Sequence, residues 1–352
     1  TPTVSRMVAA KRQELSYPLR WYSIPSLWRY ERPQRGRLRE HWQLNVDIFG
    51  VADTSAELEI ITLVDAVFKA FGAEHDMYEI RLNHRGLIDY LLADYLGLGE
   101  KVRHDVGKLI DRFHKMEAGT FVSKLDEILT AKQRETGVTE KLMAVLGAKS
   151  VSDLPAEALQ QPATRELQEL LLQLKQAGVQ AVFDGSLMRG FDYYTGVVFE
   201  VFDMNPDNNR SMLGGGRYDG LVGLFGVNPI PTVGFGWGDV TLANFLDGHG
   251  LVPKNQPETL VYLASVGDVE VNDIASALRY KGVNVAVDSS SRKVGDKLKN
   301  AGKKAIPYVL IVGEEELKSG KLKLKDLASG KETVATAADI VKKLGGGNGA
   351  GD

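Results

Sequence analysis

The chain has 352 residues, 43% of them hydrophobic and 25% charged, with a formal net charge of −3. That length and apolar content suffice for two or three buried cores, and no apolar run approaches the roughly 18 residues of a membrane-spanning helix, so no membrane partner is expected. Cysteine is absent, which excludes disulfides, cysteine nucleophiles and thiolate metal sites, fits a reducing compartment and makes the cytoplasm the expected location.

Residues 1–39 hold nine basic side chains (Arg6, Lys11, Arg12, Arg20, Arg29, Arg32, Arg35, Arg37, Arg39) against Glu14 and Glu31, a cationic block in an acidic chain. Within it, 19–31 and 41–50 read as strands flanking a basic tip, Arg32-Pro33-Gln34-Arg35-Gly36-Arg37, and so as a long hairpin. The period of two sends Trp42, Leu44, Val46 and Ile48 one way and Gln43, Asn45 and Asp47 the other. On the first strand it sets Trp28 and Tyr30 against Leu27, Arg29 and Glu31. A helix is predicted over 54–71, opened by a capping box of Thr54 and Glu57 and closed by Gly72, with Leu58, Ile61, Val64 and Phe68 as its buried stripe.

From 85 to 177 the pattern is helical throughout, with segments near 85–96, 101–116, 120–132, 139–146 and 163–177, which reads as an all-helical insertion. Strand signals return at 180–183 and 197–202. A glycine turn follows at Gly214-Gly215-Gly216-Arg217-Tyr218-Asp219-Gly220, then an apolar, glycine-rich strand at 231–237 that leads into a helix. Asp247 to Pro257 reads as a linker. Beyond it strand 259–264, helix 270–281, strand 283–287, helix 293–301, strand 307–312 and a final strand and helix alternate as in a small α/β domain. Here too lies a basic segment, 291–304, where six Lys or Arg face only Asp296. Two basic segments far apart in sequence point to one long anionic partner. The expected layout is 1–84 and 178–249 for the two parts of a core, 85–177 for the insertion, 250–258 for a linker, 259–344 for the last domain and 345–352 for a flexible tail. The six histidines lack metal spacing, so no metal site is expected.

Three blocks carry a family resemblance. Trp28-Arg29-Tyr30-Glu31-Arg32-Pro33, the Arg-Gly-Arg tip and His41-Trp42-Gln43-Leu44-Asn45-Val46-Asp47-Ile48-Phe49-Gly50 together resemble motif 2 of class II aminoacyl-tRNA synthetases. Arg189-Gly190-Phe191-Asp192-Tyr193-Tyr194-Thr195-Gly196, followed by Val198-Phe199-Glu200, looks like the signature of the histidyl-tRNA synthetases, and Gly214 through Leu221 resembles a third block of that family. The resemblance covers nearly the whole chain, and the last domain is similar to the family's anticodon-binding domain. It implies an α+β fold: a class II catalytic core on an antiparallel sheet, a helical insertion and a C-terminal α/β anticodon-binding domain, assembled as a homodimer.

The activity implied is ATP-dependent formation of histidyl-adenylate with Mg²⁺, then transfer to the 3′ end of tRNA(His). By resemblance Arg29 and Arg189 are catalytic, gripping the α-phosphate and the substrate carboxylate, and Glu31, Arg37 and the Thr241 position belong to the ATP site. Gln43 and Asp47 go to the amine and carboxyl end of histidine, Tyr193, Tyr194 and Tyr218 to its imidazole, and Thr1 to the amino-acid loop. Arg32, Gln34 and Arg35 at the tip would meet the tRNA acceptor stem, and 291–304 would lie near the anticodon stem. Arginine suits phosphoryl chemistry because catalysis there is mainly positioning and neutralisation of charge.

Two departures stand out. Thr241 occupies the place of motif 3's arginine, which puts ATP affinity in doubt. The chain also starts inside the amino-acid loop, so a fragment without motif 1 is expected. The alternative is a catalytically idle paralogue that senses histidine or tRNA; such paralogues typically lose the anticodon domain or the Arg-Gly-Phe-Asp-Tyr-Tyr block, and both are kept here.

Overall fold

The computed structural model describes residues 1–30, 32, 36–188, 193–208, 210–253 and 258–344. The chain divides into two compact units, residues 1–252 and 253–352. The first begins with helix α1 (Pro2–Lys11), followed by strands β1 (Leu19–Ser23), β2 (Ser26–Trp28) and β3 (Glu40–Phe49). β1 and β2 pair with β3 in one antiparallel register, with Ser23 opposite Asn45 and Ser26 opposite Trp42. The hairpin breaks between β1 and β2 at Ile24-Pro25, since proline has no amide hydrogen to give. The Pro25 carbonyl still accepts from the Gln43 amide at 3.2 Å.

Helix α2 (Ser55–Ala70) follows, and its start differs from the expected capping box. The Thr54 side chain caps nothing, and Asp53 Oδ1 accepts from the Ser55 amide at 2.9 Å instead. Glu57 is fully buried and takes a bidentate pair from Arg217, Nε and Nη2 each 2.6 Å from a carboxylate oxygen. A guanidinium out of water claims a carboxylate more strongly than an amide that solvent can reach. Ile60 is buried and Leu58 only partly so. The C-terminus closes as expected, with Gly72 at φ 82° and the Ala73 amide on the Phe68 carbonyl at 3.1 Å.

After β4 (Tyr78–His84) come α3 (Arg85–Tyr90), which runs on as a π-helical turn over Leu91–Tyr95, then α4 (Glu100–Ile110), α5 (Ala118–Ile128), α6 (Ala131–Glu135), α7 (Val138–Leu146), α8 (Ala156–Leu159) and α9 (Pro162–Gln176). These helices serve two cores. Ile88, Val106, Phe121, Leu125 and Leu142 close on one another, whereas Leu167, Leu170 and Leu174 of α9 pack with α2 against the main sheet.

β5 (Ala181–Phe183), β6 (Val197–Asp203), β7 (Ser211–Arg217), β8 (Thr232–Gly238) and α10 (Asp239–Gly248) complete the unit, so the helix runs two residues into the expected linker. Among the described residues, eight strands form one sheet in the order β1-β3-β8-β7-β6-β4-β5, with β2 beside β3; every pairing is antiparallel except β4 with β5. One face is covered by α2, α9 and α10, with Phe68 stacked on Tyr78 at 4.2 Å between ring centres and 4.5 Å from Trp237.

The first half of the predicted glycine turn, through Arg217, is strand, and the chain turns only at Asp219-Gly220. Gly214, Gly215 and Gly216 lie inside β7, where the neighbours of the last two leave no room for side chains: a Cβ on Gly215 would strike the Phe199 ring and Phe235 Cβ, each at 2.7 Å, and one on Gly216 the Tyr194 ring at 2.9 Å. On β8, Val233, Phe235 and Trp237 face the core while Gly234, Gly236 and Gly238 face the other way.

The second unit contains β9 (Val261–Ser265), α11 (Asn272–Tyr280), β10 (Val285–Asp288), α12 (Val294–Lys303), β11 (Tyr308–Val312), α13 (Glu314–Ser319), β12 (Leu322–Asp326), β13 (Glu332–Ala335) and α14 (Ala337–Leu344). Its sheet runs β10-β9-β11-β12-β13, parallel from β10 to β11 and antiparallel beyond. Where one final strand was expected there are two, joined by a turn that carries Gly330 at φ 69°. Within the basic segment 291–304, Lys297 is turned inward. It is 1% exposed, and its ammonium donates to the Ser265 and Asp288 carbonyls at 2.8 and 2.9 Å.

Candidate active site

The uncovered face of the first sheet opens into a cavity of about 1520 Å³, large enough for two substrates together. Strand alternation builds its floor. Successive inward positions of β3 bring His41, Gln43, Asn45 and Asp47 to one face, and the glycines of β8 opposite them leave that face clear. A Cβ on Gly234 would lie 2.7 Å from the Tyr218 hydroxyl, so the depth of the cavity depends on glycine there.

At one end Asp47, 5% exposed, accepts a hydrogen bond from the Tyr218 hydroxyl. Burial pushes the Asp47 carboxyl above its ordinary value, and the Tyr218 hydrogen bond opposes this in part. Burial and the neighbouring carboxylate also hold Tyr218 far above the usual phenol range. The ring of Tyr193 lies 4.8 Å from that of Tyr194 and 5.7 Å from that of Tyr218, so three tyrosines cluster together and Tyr218 joins the cluster to the buried carboxylate.

Midway along β3, Arg29 Nη2 donates to Gln43 Oε1 at 3.0 Å, and Gln43 Nε2 donates to Asn45 Oδ1 at 2.6 Å. The Arg29 amide bonds to the Arg39 carbonyl at 2.8 Å, which extends the hairpin register beyond β2. Behind the floor, the remaining Arg217 donors hold the Val51 and Asp53 carbonyls at 3.0 and 2.9 Å and Asp219 Oδ1 at 3.2 Å. That clamp fixes the backbone from which Tyr218 reaches Asp47.

Of the sequence candidates, Thr1, Arg29, Arg37, Gln43, Asp47, Tyr193, Tyr194, Tyr218 and Thr241 all line this one cavity. Arg32 is exposed and is not part of the lining. Glu31, Gln34, Arg35 and Arg189 lie outside the described residues. The Thr241 hydroxyl lies 2.8 Å from both the Met212 and the Gly238 carbonyl and shares its one proton between them, and so is turned to the backbone.

The sequence reading missed several lining residues. His41 and Asn45 share the parity of Gln43 and Asp47 and could have been found by it. Glu200 stood in the quoted Val198-Phe199-Glu200 block without being given a role, whereas Arg210 had no such signal, nor did His114 and Lys115, which arrive from the helical segment. His114 Nε2 sits 2.7 Å from Ser186 Oγ, and these two neighbours hold Asp184 well below the usual carboxylate range despite its burial. Among the described residues no group of three or more His, Cys, Asp or Glu could hold a metal ion.

Comparison with known proteins agrees with this geometry. Residues 1–238 match the model of the histidyl-tRNA synthetase family and residues 260–345 that of the anticodon binding domain. The histidine–tRNA ligase of Leptospira biflexa is 39% identical over 98% of this chain and 79% of its own length, and that of Thermoplasma volcanium 35% identical over 98% and 80%. For the fold, the crystal structure of histidyl-tRNA synthetase from Nostoc sp. PCC 7120 superposes with a TM-score of 0.82 at 22% identity, covering 97% of this chain and 80% of that one. An antiparallel catalytic sheet with an arginine-bearing hairpin, followed by an anticodon-binding domain, defines a class II aminoacyl-tRNA synthetase. Within that class, the chain belongs to the histidyl-tRNA synthetase family.

Proposed function

We propose that this cavity is where L-histidine is activated by ATP to histidyl-adenylate, before transfer to the 3′ end of tRNA(His). The observation that carries the reading is that one face of β3 presents a buried carboxylate bonded to Tyr218 and, two inward positions along, Gln43 bonded to Arg29 of the facing hairpin strand. The Asp47 carboxylate is hydrogen-bonded to one of the three clustered tyrosines, so it suits an imidazole N–H better than the amine or carboxyl end of the substrate. A site built to pair that N–H rejects amino acids that lack it. Gln43 and Arg29 then meet the amine and carboxylate.

In the reaction a carboxylate oxygen of histidine attacks the α-phosphorus of ATP, the new O–P bond forms in line, and pyrophosphate leaves with the electron pair of the broken bond. Arg29 neutralises charge on the phosphoryl oxygens, a contribution worth about 3 kcal/mol for one well-placed donor. Arg189 joins it by resemblance, and Arg37 is placed to meet the phosphate tail. Magnesium brought by the phosphates would supply further charge neutralisation, and Glu200 on the β6 wall would be the carboxylate to meet it.

Transfer to tRNA engages Arg32, Gln34 and Arg35 at the hairpin tip and the exposed lysines of α12. A homodimer is part of this reading, because the outer face of the hairpin leaves Trp28 and Trp42 74% and 55% exposed. The test is histidine-dependent exchange of pyrophosphate into ATP, with Arg29→Ala and Arg189→Ala beside the wild type. Exchange that depends on histidine and is lost in both variants supports the reading. Exchange with another amino acid, or none, overturns it.

A further inference from the structure

We propose that Arg210 grips the terminal phosphates of ATP, facing Arg37 across Thr241 and supplying the charge that Thr241 lacks. The proposal rests on the adenylation reading above and adds to it a residue that none of the three sequence blocks contains. Arg210 immediately precedes β7 and is exposed at the cavity wall. Among the described residues, the lysines and arginines that line the cavity are Arg29, Arg37, Lys115 and Arg210. Arg29 sits at the reacting centre with Gln43, and Lys115 comes from the helical insertion, where its ammonium donates to the Asp111 carbonyl at 3.4 Å.

The reaction sets the demand for charge. With the histidine carboxylate attacking in line, pyrophosphate leaves on the far side of the α-phosphorus, and the negative charge of the tail has to be met there. Asp47 marks the histidine end of β3 and Gln43 with Arg29 the reacting centre, so the tail takes the part of the cavity beyond Gln43. Gln43 pairs with Gly238, the last residue of β8, and Thr241 follows in the first turn of α10. That turn offers no cation: the Thr241 hydroxyl shares its one proton between two carbonyls, and Asp239 adds a negative charge at the helix start.

Two arginines flank this turn because of the order of the strands. β8 lies between β3 and β7 and runs antiparallel to both, so its end, where α10 starts, lies between the beginnings of those two strands. Leu213 stands opposite Trp237, which carries the chain before it, Arg210 included, past the end of β8. Met212, whose carbonyl is 2.8 Å from the Thr241 hydroxyl, is two residues from Arg210, at most about 7 Å of chain. On the other flank a Cβ on Gly36, the neighbour of Arg37, would lie 3.9 Å from the Thr241 methyl. Both guanidinium groups therefore reach the space above Thr241, and each planar fork can hold two phosphate oxygens.

The test is equilibrium binding of ATP, pyrophosphate, AMP and a sulfamoyl analogue of histidyl-adenylate to the wild type, Arg210→Gln, Arg210→Lys and Arg29→Ala, with thermal melts to confirm folding. Arg210→Gln, which removes the charge and keeps most of the length, is expected to weaken ATP and pyrophosphate by about tenfold or more. AMP and the analogue, which lack the two terminal phosphates, should change by less than about threefold. Arg210→Lys, which restores the charge but not the fork, should recover part of the loss. Arg29→Ala should instead weaken AMP and the analogue along with ATP. Unchanged ATP and pyrophosphate affinity in Arg210→Gln overturns the proposal, even where tRNA binding falls, and so does a weakening of AMP equal to that of ATP. A wild type that binds ATP but exchanges pyrophosphate with an amino acid other than histidine fails the histidine reading and leaves the Arg210 comparison intact. A wild type that binds no ATP overturns both.

Discussion

Asp47 is held away from water, and its carboxyl titrates above its ordinary 3.8 because burial penalises the charged form. The folded, substrate-free protein therefore binds that proton more readily than the unfolded chain. This contribution to stability is fullest below the unfolded value and is lost as pH rises through the raised one. Asp47→Asn cannot ionise, so it should melt higher than the wild type at neutral pH, with the gap closing on acidification; melting curves from about pH 8 to about pH 4 check this, and a constant gap contradicts it. The same variant should raise the KM for histidine at least about tenfold, since a neutral amide oxygen replaces the charged acceptor for the ring N–H. Glu57 differs, because it is buried with its partner Arg217 rather than beside an empty slot. Glu57→Ala strands a guanidinium that is 4% exposed, at an expected cost of ~3–5 kcal/mol in denaturant unfolding. A loss within experimental error of zero would mean that Asp219 and the backbone carbonyls alone satisfy Arg217. Sequence placed Glu57 in a capping box because its spacing from Thr54 fits one; spacing along a helix says nothing of a cation 160 residues away in the chain.

At the scale of elements, alternation was the legible signal. It put Gln43, Asn45 and Asp47 on one face of β3, as the structure does, and the apolar positions 233, 235 and 237 of β8 fit a strand with one clear face. It failed at Gly214–Gly216, where a run of glycines reads as a turn unless the crowding of Phe199, Phe235 and Tyr194 is known. Gly234→Ala tests what those clear faces are for: its methyl would press on the Asp47 carboxylate, the Val46 carbonyl and the Tyr218 hydroxyl, so histidine binding should fall by about tenfold or more and the melting temperature should fall with it. The basic helix α12 divides in the same way between exposed and buried. Exchanging Lys299, Lys303 and Lys304 for Ala should weaken tRNA binding and lower its salt slope by roughly one unit for each phosphate no longer neutralised, without changing stability. Lys297→Ala should do the reverse and destabilise the second unit, because it removes the donor that the Ser265 and Asp288 carbonyls share. Equal effects of the two changes on tRNA binding would contradict this division.

For the molecule as a whole, three motifs in order were enough to place the chain in its family, because each couples residue types to a strand parity or a glycine position that the reaction needs. Less legible was which helices close the insertion's own core and which belong to the sheet, since α9 and α4 have the same helical period and differ only in what they meet. The hairpin poses a related question about assembly. Its inner face is spent on the cavity, yet Trp28 and Trp42 on the other face remain mostly in water, and large aromatics on one strand pair are a poor surface for a solitary subunit. A second copy covering that face would tie dimer formation to catalysis, because β2 and β3 carry both the tryptophans and the register that brings Arg29 to Gln43. Sedimentation should therefore give a dimer, and the double change Trp28→Glu, Trp42→Glu should shift it to monomer with pyrophosphate exchange lost and the secondary structure kept. A monomeric wild type, or a double variant that stays dimeric and active, would place the interface elsewhere and leave the exposed tryptophans to a different partner.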